Sequence, residues 1–255
     1  MALLSYFRDR ERIRNMNVNG DRDHNKDDAT QMQPQQERKT QTQTERKTET
    51  LQIEAQTPLS SIAKAFEEIS DLIQKDKDVD LRLKPFCEAC THISVLFGCL
   101  GIAFKFAEME YTAKVRDLLE ASKNFNTLST VVDHDLKNKT VKSPGSHTRN
   151  LRRVRQGLDL IRELFQNFLS AENHSLKKAA TTAYQQVCAP YHTWAVRTAV
   201  SAGMCTLPTR GQLLMNLNET DKSAEKEMRR YIKASLDVIK TIDNLYIARG
   251  IKLDW

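Results

Sequence analysis

At 255 residues the chain can form one large domain or two small ones, and only 8 Gly and 6 Pro leave little material for a fold built on tight hairpins. Its longest strongly apolar run, Ile93 to Phe104, ends at Lys105, short of the ~20 residues a membrane-spanning helix needs. Residues 1–56 hold equal numbers of basic and acidic residues, so the net charge of +6 belongs to the remainder, where it favours an anionic partner: a phosphate-bearing ligand, an anionic membrane surface or nucleic acid.

The opening Met1–Phe7 is too short for a signal-peptide core and runs into Arg8, Asp9, Arg10 and Glu11, which points to the cytosol. Residues 1–56 read as a disordered polar tail, rich in Gln, Thr, Asn and paired charges, with a short repeat at Glu37–Thr40 and Glu45–Thr48. Order is expected over 57–255. Cys87, Cys90, Cys99, Cys188 and Cys205 are scattered. Cys87 and Cys90 have CxxC spacing but no second pair to complete a zinc site, so all five are expected to be small buried hydrophobes.

Thr57-Pro58 starts the first predicted helix, with Ile62, Phe66, Ile69 and Ile73 at helical spacing. A charged loop, Lys75–Asp80, leads to a long helical stretch from Pro85 to about Ala121, striped by Phe86, Cys90, Ile93, Phe97 and Phe104, with Gly98 and Gly101 as weak points. A shorter helix over Thr127–Lys137 carries Leu128, Val131, Val132 and Leu136. Pro144-Gly145-Ser146 breaks the chain before a helix over about His147–Ala171. Further helices fit Leu176–Cys188, Pro190–Cys205, Thr209–Asn216 and Asp221–Ala248, giving roughly eight helices and no strand.

The helix from His147 is the most informative. Leu151, Val154, Leu158, Ile161, Phe165 and Phe168 form a core-facing arc, and Arg152, Arg155, Asp159 and Glu163 fall on the side assigned to solvent. Arg149 and Arg153 share a stripe with Leu160 and Leu164, so two guanidinium groups stand above an apolar track. Such a wall suits a molecule with an anionic head and a hydrocarbon tail, since the planar guanidinium donates two parallel hydrogen bonds to phosphate. Periodicity equally fits a pair that snorkels to water or bonds acidic neighbours. Glu110 and Lys114 are four residues apart, beside Ala103 and Ala107 if that helix is continuous; an ordinary surface ion pair fits them too. His192 follows Pro190 in the expected first turn of a helix, with Trp194 two positions on. Asp133-His134-Asp135 is no metal site, because consecutive helical residues point in different directions.

At these residues the chain resembles the glycolipid transfer protein superfamily, most closely its plant branch of accelerated-cell-death-type ceramide-1-phosphate transfer proteins. The resemblance covers about residues 57–255 and rests on VLFGCLGIAFKFAEMEYTAKV (95–115), GSHTRNLRRVRQGLDLI (145–161), APYHTWAVRTAVSAGM (189–204) and LPTRGQLL (207–214). It implies an all-α, two-layer helical sandwich whose layers part around one lipid's chains, with a headgroup site at the pocket mouth. It further implies that Lys114, Arg149 and Arg153 form the phosphate-recognising basic triad. By the same resemblance His192 bonds the ceramide amide carbonyl, and Trp194 lies near the membrane-docking face. The glycolipid-binding branch has Asn where Lys114 stands and a sugar-stacking Trp where Arg153 stands. One departure is Glu110, where the family has an aspartate that accepts the amide N–H. The longer carboxylate can reach the amide by another rotamer, crowd the pocket, or fold back onto Lys114.

The expected function is therefore transfer of ceramide-1-phosphate, or a related phosphosphingolipid, between membranes by a cytoplasmic monomer that touches membranes transiently. No cofactor, metal or nucleic acid is implied. Links to cell death and defence come from the family alone. An enzyme would need a nucleophile–base pair or metal cluster that the sequence lacks around His192, and a nucleic-acid binder would need stacking aromatics beside Arg149–Arg155. A sensor that presents the lipid to a protein partner needs the same pocket and stays open.

Overall fold

The computed structural model describes residues 57–170 and 175–255, without the Ala103 side chain. The expected tail, 1–56, lies outside the described residues, as does Ala171. Nine α-helices occur among the described residues, with no strand: α1 (Pro58–Lys75), α2 (Leu83–Cys99), α3 (Lys105–Ala121), α4 (Leu128–Lys137), α5 (His147–Ser170), α6 (Leu176–Val187), α7 (Trp194–Met204), α8 (Arg210–Leu217) and α9 (Asp221–Ile247). Short 3-10 turns at Ile102–Phe104 and Ala189–Tyr191 precede α3 and α7. Hydroxyl caps start most of these helices. Thr57, Thr127, Ser175, Thr193, Thr209 and Thr220 each accept a hydrogen bond from the backbone N–H three residues on.

Packing follows the amphipathic stripes. α9 lies between α1 and α5, and α6 packs along α5; α2 and α3 cover this row, α2 meeting α1 and α3 meeting α5. Tyr231 on α9 stands edge-on to both Phe66 of α1 and Phe165 of α5, and its hydroxyl donates to the Leu158 carbonyl at 3.0 Å. Tyr246, one arm of α9 further on, donates to the Thr148 carbonyl at 2.7 Å. Each such buried side chain contributes about 1.5–3 kcal/mol by area, and their hydroxyls avoid the cost of burial without a partner. Arg230 of α9 adds a polar tie, bridging Glu67 of α1 and Glu227.

Several expectations change. The stretch from Pro85 to Ala121 is two helices: the chain turns at Gly101, whose φ of +98° is in the region that favours glycine, and Phe104 ends up only partly buried. Ala107 is therefore an exposed residue of the first turn of α3. Leu136 is exposed, and so is Cys205, while the other four cysteines are buried; all five are free thiols. His192 lies outside any helix, in extended backbone between the second 3-10 turn and α7, because Thr193 and not Pro190 starts that helix. Above all, Arg152 is buried, and Arg155, Asp159 and Glu163 face α9 and their own helix rather than open solvent. The reason is α9, which covers the flank of α5 that a lone helix would present to water.

Candidate functional site

The six residues of the α5 arc are all buried as expected, so the flank carrying Arg149 and Arg153 points outward from the core at the seam with α3. The start of α5 is firmly held. Asp135 of α4 accepts the Thr148 N–H at 2.7 Å and Ser146 Oγ accepts the Arg149 N–H at 3.2 Å. The Asp-His-Asp run thus serves as a helix cap: Asp135 holds α5, while Asp133 binds Arg249.

The α3–α5 seam is fixed at two points. Asp117 Oδ2 lies 2.8 Å from His147 Nδ1 and accepts from Asn150 Nδ2 at 2.9 Å. Two turns earlier on α3, Tyr111 lies against Gly157, where an added Cβ would sit 2.7 Å from the ring. The helices therefore run antiparallel with Tyr111 opposite Gly157 and Asp117 opposite Asn150. Lys114, midway along α3 between the two points, comes level with Arg153. A glycine inside a helix costs about 1 kcal/mol against alanine, and this close approach is the reason for it.

The cations are poorly compensated. Arg149 Nη1 donates to the Lys142 carbonyl at 2.8 Å, and Arg153 Nη1 donates to Gln156 Oε1 at 2.9 Å; neither has a carboxylate partner among the described residues. Gln156 is itself buried and donates to the Val187 carbonyl at 2.8 Å, so it ties Arg153 to the end of α6. Burial, then repulsion from Arg149 and Arg152, holds the pKa of Arg153 below the usual guanidinium value. Lys114 Nζ is 2.6 Å from Glu110 Oε2 and 3.0 Å from the Glu110 carbonyl. Of the three dispositions open to Glu110, this structure has the carboxylate folded back onto Lys114.

His192 Nδ1 is 3.0 Å from the Tyr184 hydroxyl. Burial first, and the nearby Arg153 second, lower its pKa, which keeps the ring neutral at pH 7. Sequence reading had no signal for Tyr184, which is eight residues away across a turn. Trp194, the first residue of α7, is 74% exposed, and only Met204 of that helix is buried. A second exposed apolar group occurs at the α2–α3 corner, where Ile102 is 94% and Phe106 74% exposed. Beneath, α2, α5, α6, α8 and α9 enclose an apolar cavity of about 10 Å3, lined by Leu96, Leu164, Phe168, Leu213 and others. That holds at most one water. Among the described residues no helix is long and apolar enough to cross a membrane, and no group of three His, Cys, Asp or Glu could hold a metal ion.

A family profile described as "Glycolipid transfer protein (GLTP)" matches residues 81–219. The chain belongs to the glycolipid transfer protein family. It is 65% identical to the "ACD11 homolog protein" of Arabidopsis thaliana over 211 residues, 81% of this chain and 92% of that one. It is 45% identical to "Accelerated cell death 11" of the same plant, over 79% and 98% of the two chains. A crystal structure of an Asp→Asn variant of Arabidopsis ACD11, complexed with C12 ceramide-1-phosphate, superposes with a TM-score of 0.76, covering 79% of this chain and all of that one. The family is one of lipid transfer proteins rather than enzymes, and the all-α architecture is the fold of that family.

Proposed function

We propose that this protein binds ceramide-1-phosphate and carries it between membranes through the cytosol, as a non-enzymatic monomer that docks transiently on membrane surfaces. The observation that carries the reading is the set of cations along the α3–α5 seam, Lys114, Arg149 and Arg153, in which neither arginine has a carboxylate partner among the described residues. A phosphate monoester brings the missing negative charge and oxygens that accept paired guanidinium hydrogen bonds. Lys114 leaves Glu110 for the phosphate, which frees that carboxylate to accept the amide N–H. With the Tyr184 hydroxyl as donor to His192 Nδ1, the neutral ring would carry its proton on Nε2, available to the amide carbonyl.

The chains enter the apolar layer between α2 and α5, where the cavity of about 10 Å3 must expand as the helices part. Each methylene taken from one bilayer and buried here is worth ~0.8 kcal/mol, so the pocket offsets the cost of extraction and no bond is made or broken. Trp194 and the exposed apolar side chains at the α2–α3 corner suit the membrane interface. The relatives' names, and the ceramide-1-phosphate complex of one, agree with this lipid and suggest a tie to the control of cell death.

The test is vesicle-to-vesicle transfer of fluorescent ceramide-1-phosphate, galactosylceramide and ceramide by the purified protein. Transfer of the phosphate lipid alone is expected. Binding of that lipid without transfer would identify a protein that presents it to a partner, and transfer of galactosylceramide would overturn the phosphate assignment.

A further inference from the structure

Arg152 is only 4% exposed, yet it has no ion-pair partner among the described residues. Its Nη2 donates to the Leu253 carbonyl at 3.0 Å and its Cζ stands 5.6 Å from the centre of the Tyr191 ring, while Nε and Nη1 have no hydrogen-bond partner among the described residues. A guanidinium does not lose its proton in a protein. A buried charge of this kind costs several kcal/mol when unpaired, which fits a charge retained for something other than stability.

Its place on the helix indicates what. At about 100° per residue, Arg152 lies roughly 60° to one side of Arg149 and roughly 100° from Arg153. Tyr191, on which it stacks, directly precedes His192. Arg149 and Arg152 both repel the charge on Arg153, so the positive potentials of the three overlap. A buried charge is also screened less than an exposed one.

We propose that Arg152 is a third arginine of the headgroup site: it does not touch the lipid, but its unpaired, buried charge raises the potential at Arg149 and Arg153 and makes the site select a doubly charged phosphate over singly charged or neutral headgroups. The inference rests on the phosphate-binding reading above. Its attraction scales with headgroup charge, so a phosphate monoester gains about twice what a phosphodiester gains and an uncharged lipid gains nothing.

The test uses the full chain with Arg152→Met and Arg152→Lys, measuring affinity for short-chain ceramide-1-phosphate, the singly charged phosphodiester ceramide phosphoinositol, and ceramide. Arg152→Met is expected to weaken ceramide-1-phosphate roughly tenfold, ceramide phosphoinositol about threefold and ceramide not at all. Arg152→Lys, which keeps the charge but loses the fork, is expected to restore most of the preference. Equal losses on all three lipids, or a folded Arg152→Lys as weak as Arg152→Met, would mark Arg152 as purely structural. If Arg152→Met fails to fold, Arg152→Lys decides: the charge role requires it to keep the wild-type order of lipids. A wild-type protein that binds ceramide as well as ceramide-1-phosphate would instead overturn the functional reading itself, and the inference with it.

Discussion

The arginines of α5 meet two different fates. Toward the C-terminal part, Arg155 pairs with Asp159 at 2.7 Å and with Asp243 of α9 at 2.8 Å, and Arg162 bonds Asp159 at 2.8 Å and Glu163. Toward the N-terminus, Arg149, Arg152 and Arg153 bond only carbonyl and amide oxygens among the described residues. Burial works against the charge of Arg155, but its bonds to Asp243 and the attraction of Asp159 raise its pKa, whereas that of Arg153 falls. One residue type on one helix thus supplies a structural clamp at one end and an unneutralised anion site at the other. What separates the two is whether α5 itself or the neighbouring α9 provides a carboxylate.

Substitutions can break this contrast. The largest effect is expected from Arg153→Ala. Loss of two charge-assisted hydrogen bonds at ~1.5 kcal/mol each should weaken ceramide-1-phosphate binding by roughly a factor of 100, with little change in Tm. Arg155→Ala should do the reverse. Removing one partner of a largely buried network costs about 2–3 kcal/mol in denaturant unfolding, while the ratio of ceramide-1-phosphate to ceramide binding is kept. If Arg155→Ala abolishes that ratio, the division of labour along α5 is wrong.

A smaller effect sharpens the seam. Gly157→Ala forces the new methyl into Tyr111, an overpacking worth about 1–3 kcal/mol, and should shift Lys114 out of level with Arg153. The additional change Tyr111→Leu should recover both stability and headgroup preference, and additive losses in the double variant would exclude the contact as the cause. The smallest effect concerns pH. The folded-state pKa of His192 is lowered, so its contribution to stability is fully present above the ordinary histidine value and is lost as pH falls through the folded value. Thermal unfolding from pH 7.5 downward should therefore show a loss that His192→Asn lacks.

Local chemistry made most of the fold legible. Prolines and apolar stripes mark most helix ends within a residue or two, because each is a signal between near neighbours in the chain, but the helix expected from Pro190 starts only at Trp194. The break at Gly101 was visible only as a weak point, since a glycine permits a turn without requiring one. The members of the site were legible through long motifs, and the stripe of Arg149 and Arg153 through periodicity. Which arginines remain unpaired was not. Arg152 read as solvent-facing because a helix alone cannot show that α9 and the Leu253 segment cover it, and Asp243, 88 residues from Arg155, carries no sequence mark of the pairing. The disposition of Glu110 onto Lys114, and of Tyr184 onto His192, was likewise decided by rotamer and turn geometry. The sequence by itself determined an all-α chain with a basic, lipid-suited helix. Only the tertiary structure decided which of its charges are neutralised, because neutralisation depends on groups brought together from distant parts of the chain.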